Sequence, residues 1–116
     1  MSRRRGNDYE NQVCEMAEAL GYCAFPARGS RGIVDIICFE NENVIRGYCD
    51  YPPLAIQVGT TAKAISRTLN ELDAAPRPIG SLCIVARRHR AKNRRISWTM
   101  HCHYGKFDSL ESLLKG

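Results

Sequence analysis

A carboxylate stands inside the most strand-like run of this chain. Residues 33–39 read Ile33-Val34-Asp35-Ile36-Ile37-Cys38-Phe39, β-branched and apolar apart from Asp35, which is the pattern of a buried strand. A carboxylate in such a place is costly unless it is paired, hydrogen-bonded or bound to a metal. A second polar residue interrupts the next apolar run, Leu54-Ala55-Ile56-Gln57-Val58. Alternation puts Ala55, Gln57 and Gly59 on one face of that strand and Leu54, Ile56 and Val58 on the other. If the two strands flanking residues 40–53 pair antiparallel, Asp35 and Gln57 lie side by side.

The surrounding pattern predicts the elements that would carry them. Over residues 7–20, Tyr9, Val13, Met16, Ala17 and Leu20 recur at helical spacing, with Asn7 or Asp8 as the cap and Gly21 as the stop. Residues 22–28 read as a strand that Pro26 marks as an edge or bent strand. A polar turn follows residue 39, and residues 44–53 are interrupted by Gly47, Pro52 and Pro53. Thr60 or Thr61 caps a second helix ending near Ala74, with Ala62, Ile65, Leu69 and Leu72 as its apolar stripe. Strands follow at 81–86 and 96–103, separated by a basic loop at 87–95. Asp108-Ser109-Leu110-Glu111 has the form of a capping box opening a short terminal helix. The expected fold is one α/β domain over residues 1–116, in the order α-β-β-β-α-β-β-α around a mixed sheet.

Charge is unevenly placed. The chain has 17 Lys and Arg against 12 Asp and Glu, a net of +5. Arg3, Arg4 and Arg5, with Arg87, Arg88, Arg90, Lys92, Arg94 and Arg95 of the second run, hold nine of the 17 bases, which leaves the remainder at −4. Two basic patches on a mildly acidic body suit a polyanion, and nucleic acid is the commonest one in a cell. The longest apolar stretches are only a few residues, so no transmembrane helix is expected. No apolar segment follows the basic Met1–Arg5 start, so no secretory signal is expected either. The six cysteines lack a CxxC and mostly sit in apolar runs. They are expected to be reduced, in an intracellular, cytoplasmic protein.

Glu10 shares its helical stripe with Val13, Cys14 and Ala17, so its carboxylate points near the core. With Asp35 and Gln57 it would make a site of oxygen ligands for a hard divalent cation. Taken together, Gly6-x-x-x-Glu10, Leu20-Gly21-Tyr22, Arg28-Gly29-Ser30-Arg31-Gly32-Ile33-Val34-Asp35-Ile36-Ile37 and Ile56-Gln57-Val58 resemble the archaeal-type Holliday junction resolvases. Their phage and bacterial relatives share the pattern, within the PD-(D/E)XK, restriction-endonuclease-like superfamily. The resemblance covers residues 3 to 88, about three quarters of the chain.

The resemblance implies a Mg²⁺- or Mn²⁺-dependent, structure-selective DNA endonuclease acting as a homodimer on junction DNA. Asp35 would be the main metal ligand, completed by Gln57, the backbone carbonyl of Val58, and Glu10. Ser30 would lie near the scissile phosphate, with Arg28 and Arg31 on the DNA backbone. Gly59 departs from the pattern, which has lysine there. Lys63, in the first turn of the second helix, is the residue whose stem could return an ammonium to the site. A chain with Gly59 and Gln57 has a second outcome open to it, binding DNA without cutting. The patches alone would also suit a small basic RNA-binding protein, although Trp98 is the nearest aromatic to them.

Overall fold

The structure, a computed structural model, describes residues 5–27, 33–40, 52–59, 64–90, 93 and 95–115, with side chains from residue 9 onward. Helix α1 (Arg5–Ala19) leads into strand β1 (Tyr22–Pro26). Gly21 makes that junction possible. It sits at φ 95°, a left-handed conformation that glycine adopts without cost, and its N–H donates to the Glu18 carbonyl to close the helix. Strands β2 (Ile36–Glu40) and β3 (Leu54–Gly59) follow, then α2 (Ile65–Ala74), β4 (Leu82–Arg90), β5 (Ile96–Cys102), β6 (Gly105–Phe107) and α3 (Leu110–Lys115).

The six strands among the described residues form one sheet in the order β1-β2-β3-β4-β5-β6. Every neighbouring pair is antiparallel except β3 with β4. A parallel pair needs a crossover, and α2 supplies it. Pro26 ends β1, which is an edge strand as its missing N–H requires. The central pair reads as continuous apolar runs because it is covered on both faces. Leu54, Ala55 and Ile56 have no exposed surface, and Ile84, Val85 and Ala86 have none. Leu54, Ile56, Ile84 and Ala86 pack with Val13, Cys14 and Ala17 of α1, and with Leu110 and Leu113 of α3. Ala55, Cys83 and Val85 pack with Leu69 and Leu72 of α2 on the opposite face.

Several expectations need correction. The first four residues of the basic run are strand and not loop. β4 continues through Arg87, Arg88, His89 and Arg90, because no turn-forming residue occurs before Asn93 and β5 pairs with it from Val85 to Arg90. A sixth strand, only three residues long, follows a two-residue turn at His103-Tyr104, so the order is α-β-β-β-α-β-β-β-α. α1 begins at Arg5, so neither Asn7 nor Asp8 is its cap. α2 begins at Ile65, with Ala64 at the N-cap and no side-chain cap bond, so neither Thr60 nor Thr61 caps it. Thr68 Oγ1 instead donates to the Ala64 carbonyl. In α3 the cap is Ser109 rather than Asp108, its Oγ accepting the Ser112 N–H at 3.0 Å.

Among the described residues no helix is long and apolar enough to cross a membrane. Cys14, Cys23, Cys38, Cys83 and Cys102 are free thiols, and all but Cys23 are buried. Burial pushes the Cys38 thiol up to about 12, and burial with a hydrogen bond to Asp73 pushes Cys83 up to about 11. Cys38 and Cys83 pack as small hydrophobes and stay protonated.

Candidate functional site

The site builds up from the place where the β2–β3 ladder ends. Their last regular pair is Ile36↔Ile56, so Asp35 stands just ahead of β2 and not inside it. Its N–H donates to the Ile56 carbonyl at 2.9 Å. Its Oδ2 accepts the Val58 N–H at 2.9 Å. The two bonds straddle Gln57 and hold Asp35 beside it, as the antiparallel pairing implied. The carboxylate is half-buried, and loss of water raises its affinity for a proton, outweighing the Val58 N–H, which acts in the other direction. Gln57 is half-exposed, and its Nε2 donates to the Val58 carbonyl at 3.3 Å. Asp35, Gln57 and Val58 are therefore gathered at one end of β3.

The fourth member comes from β4. The parallel register sets Gly59 beside Arg87. Arg87 is only 4% exposed, so it does not reach for phosphates from a loop as expected. Its Nη1 donates to Gln57 Oε1 at 3.1 Å, and its Nη2 to the buried Thr68 Oγ1 of α2 at 3.4 Å. The guanidinium fills the space above Gly59: a Cβ at that position would stand 3.1 Å from Arg87 Nη1. The sequence clue to this placement is the absence of any breaker between Ala86 and Arg90, which extends the period-2 alternation and turns Arg87 to the Gln57 face.

Glu10 lies on α1, whose Val13, Cys14 and Ala17 pack on the side of the sheet opposite to α2. Its charge helps raise the Cys14 thiol, after burial and Glu18. Among the described residues no three His, Cys, Asp or Glu side chains gather as a metal site. Ser30, Lys63, Arg28, Arg31, Arg3, Arg4, Lys92 and Arg94 lie outside the described residues. Arg5 opens α1. Arg88 points to the α1 face, its guanidinium 3.8 Å from the centre of the Tyr9 ring. Arg90 and Arg95 are exposed beside the β4–β5 turn.

Sequence reading missed a polar chain on the α2 face. Thr99 Oγ1 lies 2.8 Å from His89 Nε2 and 2.9 Å from His101 Nε2. Burial first, then the charges of Lys106, Arg87 and His89, hold the His101 imidazole below its usual range. His101 and His103 line a cavity of about 360 Å³ between α2 and the β5–β6 hairpin, while Cys102 packs in the core on the α1 side.

Comparison with protein-family models, with curated proteins and with solved structures gives no match.

Proposed function

We propose that this protein binds the phosphodiester backbone of branched DNA and hydrolyses it with Mg²⁺ or Mn²⁺, in the manner of a restriction-endonuclease-like junction resolvase. The observation that carries the reading is the Asp35–Gln57–Val58 cluster, held at the end of β3 within an α-β-β-β-α-β order. The donors are one carboxylate, one amide oxygen and one backbone carbonyl. All are hard oxygen ligands, and Mg²⁺ commonly takes one or two carboxylates together with substrate phosphate and water. Asp35, Gln57 and the Val58 carbonyl would hold the ion, which when bound supplies Lewis acidity toward a phosphoryl oxygen.

The chain's own groups do the rest. The Asp35 carboxylate is held by the Val58 N–H and its main chain by the Ile56 carbonyl, so it costs little further ordering when substrate arrives. The exposed Arg90 and Arg95, with the basic patches at either end of the sequence motifs, hold phosphates without reading bases. Two copies would address two strands of a four-way junction.

The test is cleavage of four-way and linear duplex DNA with Mg²⁺ or Mn²⁺. Wild-type protein is expected to cut the junction, and Asp35→Ala to bind it without cutting. Sedimentation is expected to report a dimer. A second reading is favoured by one observation, that Gln57 Oε1 is already taken by the Arg87 guanidinium. On that reading the protein binds junctions and does not cut. Salt-sensitive wild-type binding with intact DNA would select it, and equal affinity for RNA would point to the RNA-binding class instead.

A further inference from the structure

We infer that the open cavity between α2 and the β5–β6 hairpin is a binding pocket for a phosphate monoester, the chemistry shared by a free nucleotide and the phosphorylated end of a nucleic-acid strand. None of its lining residues belongs to the Asp35 cluster, so the inference stands whether or not that cluster cuts DNA.

Three observations converge on it. The first is a wing of the sheet without apolar cover. Trp98, Met100, Cys102 and Phe107 pack on the α1 side. Alternation therefore turns Ser97, Thr99 and His101 of β5 to the α2 side, with Lys106 of β6 paired to His101. The apolar cluster beneath α2 draws its strand residues from β2, β3 and β4, and among the described residues none from β5 or β6. The cavity lies where that packing stops.

The second is the lining. Ser66 and Asn70 of α2 face His101 and His103 of the hairpin across about 360 Å³, beside the apolar Ile65 and Leu69. That volume suits a small ligand. A hydroxyl, an amide and two imidazoles can each donate a hydrogen bond. A phosphate monoester offers three acceptor oxygens to such a set, and Ile65 and Leu69 give its organic group an apolar wall. The His101 ring is held in place from behind, because Thr99 Oγ1 bonds its Nε2 at 2.9 Å and His89 Nε2 at 2.8 Å. Its Nδ1 takes no part in that chain.

The third is charge. After burial, the groups that disfavour protonation of His101 are Lys106 of β6 and Arg87 and His89 of β4, all of one sign. On α2, Asp73 is held by His103 Nε2 at 2.8 Å and Arg77 Nη2 at 3.8 Å. Arg67 and Glu71 pair with each other outside the lining. The field at His101 is positive, the sign that attracts a dianion. A bound dianion opposes that field and favours the imidazolium, which then donates a charge-assisted bond. Binding therefore takes up a proton at His101.

The experiment follows the ring signals of the three histidines by NMR in the full-length protein, while inorganic phosphate, adenosine 5′-monophosphate or adenosine is added. Phosphate and the monophosphate are expected to move His101 and His103, and adenosine to move neither. Monophosphate affinity, measured by calorimetry, is expected to be about threefold higher at pH 7 than at pH 8. His101→Gln is expected to weaken it about tenfold and to remove that pH dependence. Ser66 and Asn70 are exposed, so their replacement spares the core. Asn70→Leu is expected to weaken binding about threefold to tenfold. A 5′-phosphorylated oligonucleotide that binds more tightly than the monophosphate, and than its own 5′-hydroxyl form, assigns the pocket to a strand end; equal affinity of oligonucleotide and monophosphate assigns it to a free nucleotide. Unmoved His101 and His103 signals at about 10 mM phosphate and monophosphate overturn the inference. So do equal shifts with adenosine, or unchanged monophosphate affinity in folded His101→Gln and Asn70→Leu. Junction cleavage by the wild-type protein is scored separately, so loss of the nuclease reading and loss of the pocket are distinguishable.

Discussion

The two faces of the central strands divide the work between them. Along β3 and β4 the α1 side carries Leu54, Ile56, Ile84 and Ala86, all fully buried, and ends in Arg88 stacked on Tyr9. The α2 side carries Ala55, Cys83 and Val85, and ends in Gln57 and Arg87 bonded to each other and to Thr68. Neighbouring arginines one residue apart thus meet an aromatic ring on one face and a polar cluster on the other. A strand with period 2 makes that division unavoidable. One face can be given to packing while the other is interrupted for a site, and α1 and α3 close the first face.

The largest effect should separate two adjacent residues. Ile56→Ala on the packing face is expected to cost about 3 kcal/mol and to lower Tm by more than about 10 °C. Gln57→Ala, half-exposed on the site face, is expected to cost less than about 1 kcal/mol while weakening junction cleavage. Thermal melts and the cleavage assay on the same preparations check both, and equal destabilisation by the two changes would break the comparison.

Next is Asp35→Asn. Burial raises the proton affinity of Asp35 in the folded protein, so its ionised form opposes folding. That cost is absent below the unfolded value of 3.8 and is present in full once pH has risen through the higher folded one. The variant keeps an oxygen to accept the Val58 N–H. It is expected to melt a few degrees higher at pH 7, with the gain vanishing in acid, and to lose cleavage by about a hundredfold or more. Melts at pH 7 and pH 3, with cleavage rates, decide it; a lower Tm at pH 7 would contradict the assignment.

Arg88→Met should cost about 1 kcal/mol through the lost contact with the Tyr9 ring. Tyr9→Phe keeps the ring face and should cost less. Chemical denaturation of the pair measures whether stacking holds this arginine. The smallest effect belongs to His101. Its imidazole resists protonation in the folded state, so the stability it contributes is present above 6.5 and is lost as pH falls toward its lower folded value. His101→Gln should flatten that acid-side loss, changing Tm by about 2 °C or less. Melting temperatures between pH 7.5 and pH 5 provide the readout.

Much of the fold was legible in residues with strong local signals. Tyr9, Val13 and Ala17 marked α1, Gly21 its end, Pro26 an edge strand, and the apolar runs at 36–38, 54–56 and 83–86 the central sheet. The weaker signals failed for physical reasons. A three-residue strand such as β6 is too short to show a period. Capping serine, threonine and aspartate crowd the helix starts, so Ser109 and Asp108 compete for one role. Arginine and histidine carry no strand signal of their own, so the second half of β4 read as a loop until its pairing with β5 was seen.

The cluster divides along the same line. Asp35 and Gln57 stood out because polar residues inside apolar runs are costly and therefore informative, and antiparallel pairing was enough to bring them together. The sequence determined that much, along with the absence of a side chain at position 59. Only the tertiary structure decided what occupies the space above Gly59, because that depends on the parallel register of two strands joined through α2 and not on any local pattern. It also decided which face α1 covers, the one opposite to α2: helical periodicity tells which residues share a stripe, but not which face of a sheet that stripe will cover.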